Sequence, residues 1–113
     1  VRGVIAGAIF ALALLWGYVA SVAVCTADAT RVAAGERIYG DYCAHCHGPE
    51  LRNTSGGATF DLRRLRSADH RRFVEAVLNG SRQMPPWRGV LDADQIDAIW
   101  AYIRATVDPG VNR

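Results

Sequence analysis

Cys43-Ala44-His45-Cys46-His47-Gly48 places two thiols and an imidazole at a spacing that suits a flat macrocyclic cofactor. Two cysteines separated by two residues, with histidine directly after the second, form the attachment signature for c-type haem. On a helical turn Cys43 and Cys46 are i,i+3 neighbours, so both sulfurs can reach one macrocycle and form thioethers with its vinyl groups. His47 lies four residues from Cys43 on the same face, where its imidazole can act as the proximal iron ligand. Gly48 lets the backbone turn away beside the cofactor. The competing uses of such a pair are a redox dithiol or half of a zinc site. Zinc takes four ligands, and only His45, His47 and His70 are on offer beyond the cysteines.

Three helices are expected to position this motif. The first covers Val32 to about Cys46, with Gly35, Tyr39 and Cys43 recurring on one face and Ile38 and Tyr42 beside them. Glycine inside a helix costs roughly 1 kcal/mol relative to alanine, so Gly35 implies close approach of another helix. The last helix begins at Asp92, with Gln95 completing a capping box. Ile96, Ile99, Trp100, Ile103 and Val107 form its apolar stripe, and Asp108-Pro109-Gly110 stops it. Between them a third helix runs from about Ala68 to Asn79, with Ser67 as N-cap and Gly80 at its C-terminus; Phe73, Val74, Val77 and Leu78 face inward. Gly48 to Thr59 reads as an irregular loop, and no strand pattern of useful length is present.

The order Gly35-x-x-x-Tyr39-x-x-x-Cys43, the haem motif, the lone Met84 with Pro85-Pro86, and Ile99-Trp100-Ala101-Tyr102-Ile103 resembles a small class I cytochrome c over about residues 32–107. The resemblance implies an all-α class I cytochrome c fold, with three main helices around one covalently bound haem c. It puts Tyr102 as the aromatic crossing over Gly35, with Ile99 as its apolar partner. It also makes Met84 the second axial ligand, opposite His47. Pro85 biases Met84 out of helical geometry and Pro85-Pro86 stiffens the loop. A thioether ligand raises the reduction potential relative to a second histidine. The alternative for Met84 is a gap-filling core residue. One feature departs from the pattern: Gly-Pro-x-Leu is replaced by Thr59-Phe60-Asp61-Leu62, with Phe60 at the proline's place. Which backbone carbonyl orients His47 is therefore open.

Other residues near the site have plainer readings. Trp87 could donate its N–H to a haem propionate or cover the haem edge, and the cover is the commoner role of tryptophan. Arg82 and Arg88 flank the Met84 loop as surface arginines, or as partners of the haem propionates. Arg63, Arg64, Arg66, Arg71 and Arg72 form a basic run that reads as a solvated face. His45 points away from the haem if His47 points toward it. His70 is an exposed first-turn helix residue and a rival sixth ligand.

The chain has 113 residues and a formal charge of +2 at pH 7. Residues 1–29 read as a signal peptide or an N-terminal membrane anchor, and residues 30–113 as the cytochrome c domain. Val4 to Val24 is apolar and uncharged, long enough for a hydrophobic helix that spans a bilayer, and Ala27-Asp28-Ala29 fits a signal-peptidase site. A lipid on Cys25 is a third possibility, disfavoured by the bulk of Val24. Val1 reads as an alternative start or the edge of a truncated fragment. All three readings place the domain in the periplasm, soluble after cleavage or tethered to the outer face of the inner membrane. Removing residues 1–29, which carry Arg2 and Asp28, leaves 12 arginines against 10 carboxylates and the same +2. That near-neutral balance argues against nucleic acid. A domain of about 84 residues buries only some 60% of its unfolded surface, so a covalent haem would complete its core.

With both axial positions filled by protein, the chemistry left to the iron is one-electron transfer. The leading expectation is a mono-haem carrier cycling between Fe(II) and Fe(III), not an enzyme by itself. Thr59-Phe60-Asp61-Leu62-Arg63-Arg64-Leu65 and Gln83-Met84-Pro85-Pro86-Trp87 look like the small cytochromes that accept electrons from quinoprotein alcohol dehydrogenases. That likeness implies a quinoprotein dehydrogenase as donor and a terminal oxidase or another cytochrome as acceptor. The alternatives are a haem-based sensor or small catalytic haem subunit with an open or labile sixth site, and a zinc-binding interaction module.

Overall fold

The protein is seen in a computed structural model that describes residues 27–110. Two units divide the chain, Val1–Thr30 and Arg31–Arg113. Of the first, only residues 27–30 are described; the apolar run 4–24 and Cys25 lie outside the described residues. Among the described residues no helix is long and apolar enough to cross a membrane.

Residues 27–42 are helical, so the helix starts ahead of the expected Val32; its part from residue 31, α1, presents Gly35 and Tyr39 to the interior. It continues through a turn at Cys43 into the short helix α2, Ala44–His47. The Cys43 amide donates to the Tyr39 carbonyl at 2.9 Å, so the expected helix reaches one residue past Cys46 but is kinked at the first cysteine. Gly48 ends α2 with φ +85, and three 3₁₀ turns follow: Pro49–Leu51, Leu62–Arg64 and Ser67–Asp69.

Helix α3, His70–Asn79, begins two residues later than the sequence indicates. Ser67 makes no side-chain cap. Instead the Asp69 carboxylate accepts from the Arg66 amide at 2.9 Å, which winds residues 67–69 into a 3₁₀ turn ahead of the α-helix. The C-terminus falls at Gly80 as expected, with the Gly80 amide donating to Ala76. Phe73 and Val77 are buried on the inner face.

Helix α4, Ala93–Val107, starts where the capping box places it. The Asp92 carboxylate accepts from the Gln95 amide at 2.8 Å and the Gln95 side chain accepts from the Asp92 amide at 2.9 Å. Its buried side chains are Ile96, Ala98, Ile99, Tyr102 and Ile103. Arg104 donates to the Leu65 carbonyl at 2.6 Å and pairs with Asp108, tying the helix end to the link before α3.

Helices α1 and α4 cross at Gly35. A β-carbon there would lie 1.8 Å from the Ala98 carbonyl oxygen and 3.0 Å from the Ile99 nitrogen. The close approach inferred from Gly35 is therefore present, with a refinement: the α4 backbone occupies the space over the glycine. The aromatic contact falls one turn on, where the Tyr102 ring packs against Tyr39 with centroids 5.3 Å apart.

Around this crossing Tyr39, Leu51, Leu65, Phe73, Val77, Leu91, Ile96, Ile99 and Ile103 form one core. Burying each large apolar side chain is worth roughly 1.5–3 kcal/mol. Isolated bridges join Ser81 to Met84 and Arg88 to Leu91, and no strand forms among the described residues. The described unit is all-α, with the helix order expected of the class I cytochrome c fold.

Candidate haem-attachment site

The turn that carries the motif is held by its own backbone. The amides of Cys46 and His47 both donate to the Cys43 carbonyl, at 3.2 and 2.9 Å, and the Gly48 amide donates to Ala44 at 2.7 Å. The phenol of Tyr39, buried in α1, donates to the Gly48 carbonyl at 2.6 Å and closes the turn from below. Cys43 is half-buried against the core, while Cys46 is exposed. Burial, followed by the neighbouring Cys46, pushes the Cys43 thiol up to about 11. A redox dithiol works through a depressed thiol pKa, so this environment disfavours that alternative.

His47 has one polar contact that decides its tautomer. Its Nδ1 lies 3.1 Å from the Phe60 carbonyl oxygen. A carbonyl can only accept, so Nδ1 carries the proton and donates it. In the neutral imidazole Nε2 then holds the lone pair, which is the form an iron ligand needs. The sequence left the orienting carbonyl open; Phe60, at the place where the resembled pattern has proline, supplies it. Haem fits this arrangement: two thiols on one turn and a histidine fixed in the ligating tautomer.

Met84 is presented by a tight turn. The Ser81 amide donates to Met84 at 3.1 Å and the Met84 amide to Ser81 at 2.9 Å, with Arg82 at φ +55 between them. Gly80 takes φ +74 just before it, and its missing side chain makes room for the Met84 carbonyl. Met84 is half-buried against the same core cluster as Cys43. The Trp87 amide donates to the Val77 carbonyl at 2.8 Å, and its ring meets Tyr42 edge-on, with centroids 5.4 Å apart. Trp87 thus pins the end of the methionine loop to α3 and to the residue before Cys43.

The remaining candidates separate. His45 is exposed. His70 Nε2 lies 3.0 Å from Asp97 Oδ1 and the ring packs edge-on to Trp100, so its imidazole is engaged with α4. Among the described residues no three His, Cys, Asp or Glu side chains converge as a metal site. The basic run is exposed, as a solvated face is, and three of its arginines find carboxylate partners. Arg63 makes a two-point contact with Asp61 at 2.9 and 3.0 Å, and Arg66 and Arg72 pair with Asp69. Arg72 also lies over the Phe60 ring, 5.0 Å from its centroid. Such exposed pairs are screened by solvent and contribute little to stability. Arg82 and Arg88 are both exposed, and Arg88 donates to Asn79 at 2.8 Å.

An open cleft of about 530 Å³ runs along residues 56–61, lined also by Asn53, Arg63, Arg64 and Arg82. None of Cys43, Cys46, His47 or Met84 lines it. It abuts the site through Phe60, and the ligand set rather than this cleft marks the site. The sequence placed a loop at Gly48 to Thr59, but not its hydrogen bonds among Asn53, Ser55 and Thr59 and to the Cys46 carbonyl, nor the fitted contact of Gly80 with Met84.

Residues 30–103 match the family described as cytochrome c oxidase, cbb3-type, subunit III. Over 79 residues the chain is 34% identical to the quinohemoprotein alcohol dehydrogenase ADH-IIG of Pseudomonas putida, covering 67% of this chain and 11% of that one. It is 34% identical over 77 residues to the cbb3-type cytochrome c oxidase subunit FixP of Bradyrhizobium sp., covering 65% of this chain and 27% of FixP. With cytochrome c6 of Leptolyngbya boryana it shares 30% identity over 82 residues, 69% of this chain and 95% of the relative. The chain therefore spans a small part of the dehydrogenase and of FixP but nearly all of cytochrome c6. No solved structure matches it.

Proposed function

Since the chain belongs to the cbb3-type cytochrome c oxidase subunit III family of c-type cytochrome domains, we propose that it is a mono-haem electron-transfer domain with histidine–methionine ligation. Cys43 and Cys46 would hold haem c by thioethers, and His47 and Met84 would fill the two axial positions. When bound, haem c supplies a one-electron Fe(II)/Fe(III) couple.

The chain's residues do the rest. The Phe60 carbonyl keeps the proton on His47 Nδ1, which directs Nε2 outward and raises the basicity of the imidazole. The Ser81–Met84 turn, backed by Gly80, presents a soft thioether on a segment with little freedom. Trp87 and Tyr42 exclude water where the methionine loop meets α1. The observation that carries this reading is the Phe60–His47 bond, because it fixes the ligating tautomer beside the two thiols.

The domain is proposed to work in the periplasm, exported or anchored through residues 1–29. The likeness to a quinohemoprotein dehydrogenase and to an oxidase subunit supports redox proteins as partners, a quinoprotein dehydrogenase as donor and a terminal oxidase or another cytochrome as acceptor. Met84→Ala tests the ligand set. The reduced variant should gain carbon monoxide binding and its potential should fall, while the covalent haem survives. Tight carbon monoxide binding by the reduced wild type would instead favour a sensor with a labile sixth site.

A further inference from the structure

The loop between the haem motif and Phe60 reads as irregular in sequence, yet its polar side chains form one connected network. Asn53 Nδ2 donates to the Thr59 carbonyl at 2.8 Å. Asn53 Oδ1 accepts from the Ser55 amide at 3.0 Å and from the Ser55 hydroxyl at 2.6 Å. Ser55 Oγ in turn accepts from the Thr59 amide at 3.0 Å and lies 2.9 Å from Thr59 Oγ1. Thr59 Oγ1 reaches the Cys46 carbonyl at 3.1 Å. The network thus grips both polar groups of Thr59's backbone and ties that residue to the cysteine adjoining His47. Phe60, the next residue, supplies the carbonyl on His47 Nδ1.

We infer that Asn53, Ser55 and Thr59 are positioning residues that set the reduction potential by fixing the Phe60 carbonyl on His47. In the resembled pattern a proline stiffens the backbone at this place. Here the backbone is free of proline, and three side chains supply the constraint. A strong Nδ1–H···O=C bond raises imidazole basicity, which favours the oxidised metal and lowers the potential. Loosening the loop should therefore raise the potential without removing any ligand. This rests on His47 being the proximal ligand, as proposed above.

The test uses holoprotein variants Thr59→Val, Ser55→Ala and Asn53→Asp, with Thr59→Ser as the conservative rescue and the exposed Thr54→Val as control. Two readouts are the midpoint potential and the solvent exchange of the His47 Nδ1 proton, followed by NMR in the reduced protein. The first three variants should raise the potential and speed exchange by about tenfold, the scale of one lost hydrogen bond. Thr59→Ser and Thr54→Val should leave both unchanged. Asn53→Asp is isosteric and covers the case in which Thr59→Val fails to mature. His47→Gly separates two failures. If it keeps the wild-type low-spin spectrum, the ligand reading is wrong and this inference falls with it. If it loses that spectrum while the loop variants keep wild-type potential and exchange, the ligand reading stands and the positioning role is overturned. Lower thermal stability with unchanged potential would also overturn it.

Discussion

A β-carbon on Gly80 would stand 2.6 Å from the Met84 carbonyl oxygen, so the end of α3 and the methionine turn are fitted together with no room for a side chain. Gly80 also holds φ +74, where L-residues are strained. Gly80→Ala should cost about 2 kcal/mol or more in stability, combining backbone strain with overpacking. It should also displace the Met84 turn, so the oxidised holoprotein loses the charge-transfer band of an iron–methionine bond. Denaturant unfolding and the visible spectrum check the two parts separately.

At the α1–α4 crossing, Gly35→Ala places a β-carbon 1.8 Å from the Ala98 carbonyl, and backbone cannot yield there without separating the helices. A loss of about 3 kcal/mol or more is expected. Gly40, on the exposed side of the same helix, has nothing within 4 Å of its would-be β-carbon. Gly40→Ala should therefore stabilise by about 0.5–1 kcal/mol. Thermal unfolding of the pair reads the contrast directly.

Tyr39 gives the protein an alkaline limit. It is 2% exposed, and burial pushes its phenol up to about 12 from the ordinary 10. Below pH 10 the folded and unfolded states both keep this proton. Between pH 10 and about 12 the unfolded chain releases it while the folded chain retains it, so stability falls as pH rises. The loss from this group is about 2–3 kcal/mol across that window. Tyr39→Phe should flatten the fall, and should lose about 1 kcal/mol at neutral pH with the bond to Gly48.

Arg82 and Arg88 flank the methionine turn in different states. Both are exposed; Arg88 donates to Asn79, and Arg82 lies on the turn itself. Exposed charge steers encounter and is screened by salt. Association with an acidic redox partner should slow as ionic strength rises. Arg82→Glu should slow it at low salt more than Arg88→Glu does, as stopped-flow electron transfer would measure.

What the sequence made legible was local. The Asp92–Gln95 capping box, the Gly80 helix end and the meaning of Gly35 each follow from neighbours within one turn or from the cost of glycine in a helix. Ser67 misled because the Asp69 carboxylate accepts from the Arg66 amide, which winds residues 67–69 into a 3₁₀ turn ahead of the α-helix. The carbonyl on His47 could not be assigned, since it comes from Phe60 across an irregular loop. Asn53, Ser55 and Thr59 carry the turn chemistry that such a loop uses, and that was the available signal. The partners of Arg63, Arg66 and Arg72 depended on how the 3₁₀ turns present Asp61 and Asp69. Charge counting along the chain does not reveal that.

The central claim is that this turn holds haem c covalently. Mass spectrometry of the denatured protein, purified from a host that matures c-type cytochromes, tests it most directly. The expected result is the mass of the polypeptide plus one haem. That haem should be lost entirely in the Cys43→Ala, Cys46→Ala double variant and kept in Met84→Ala. A wild-type mass equal to the bare polypeptide would contradict the claim, and with it the reading of Cys43, Cys46 and His47 as a haem site.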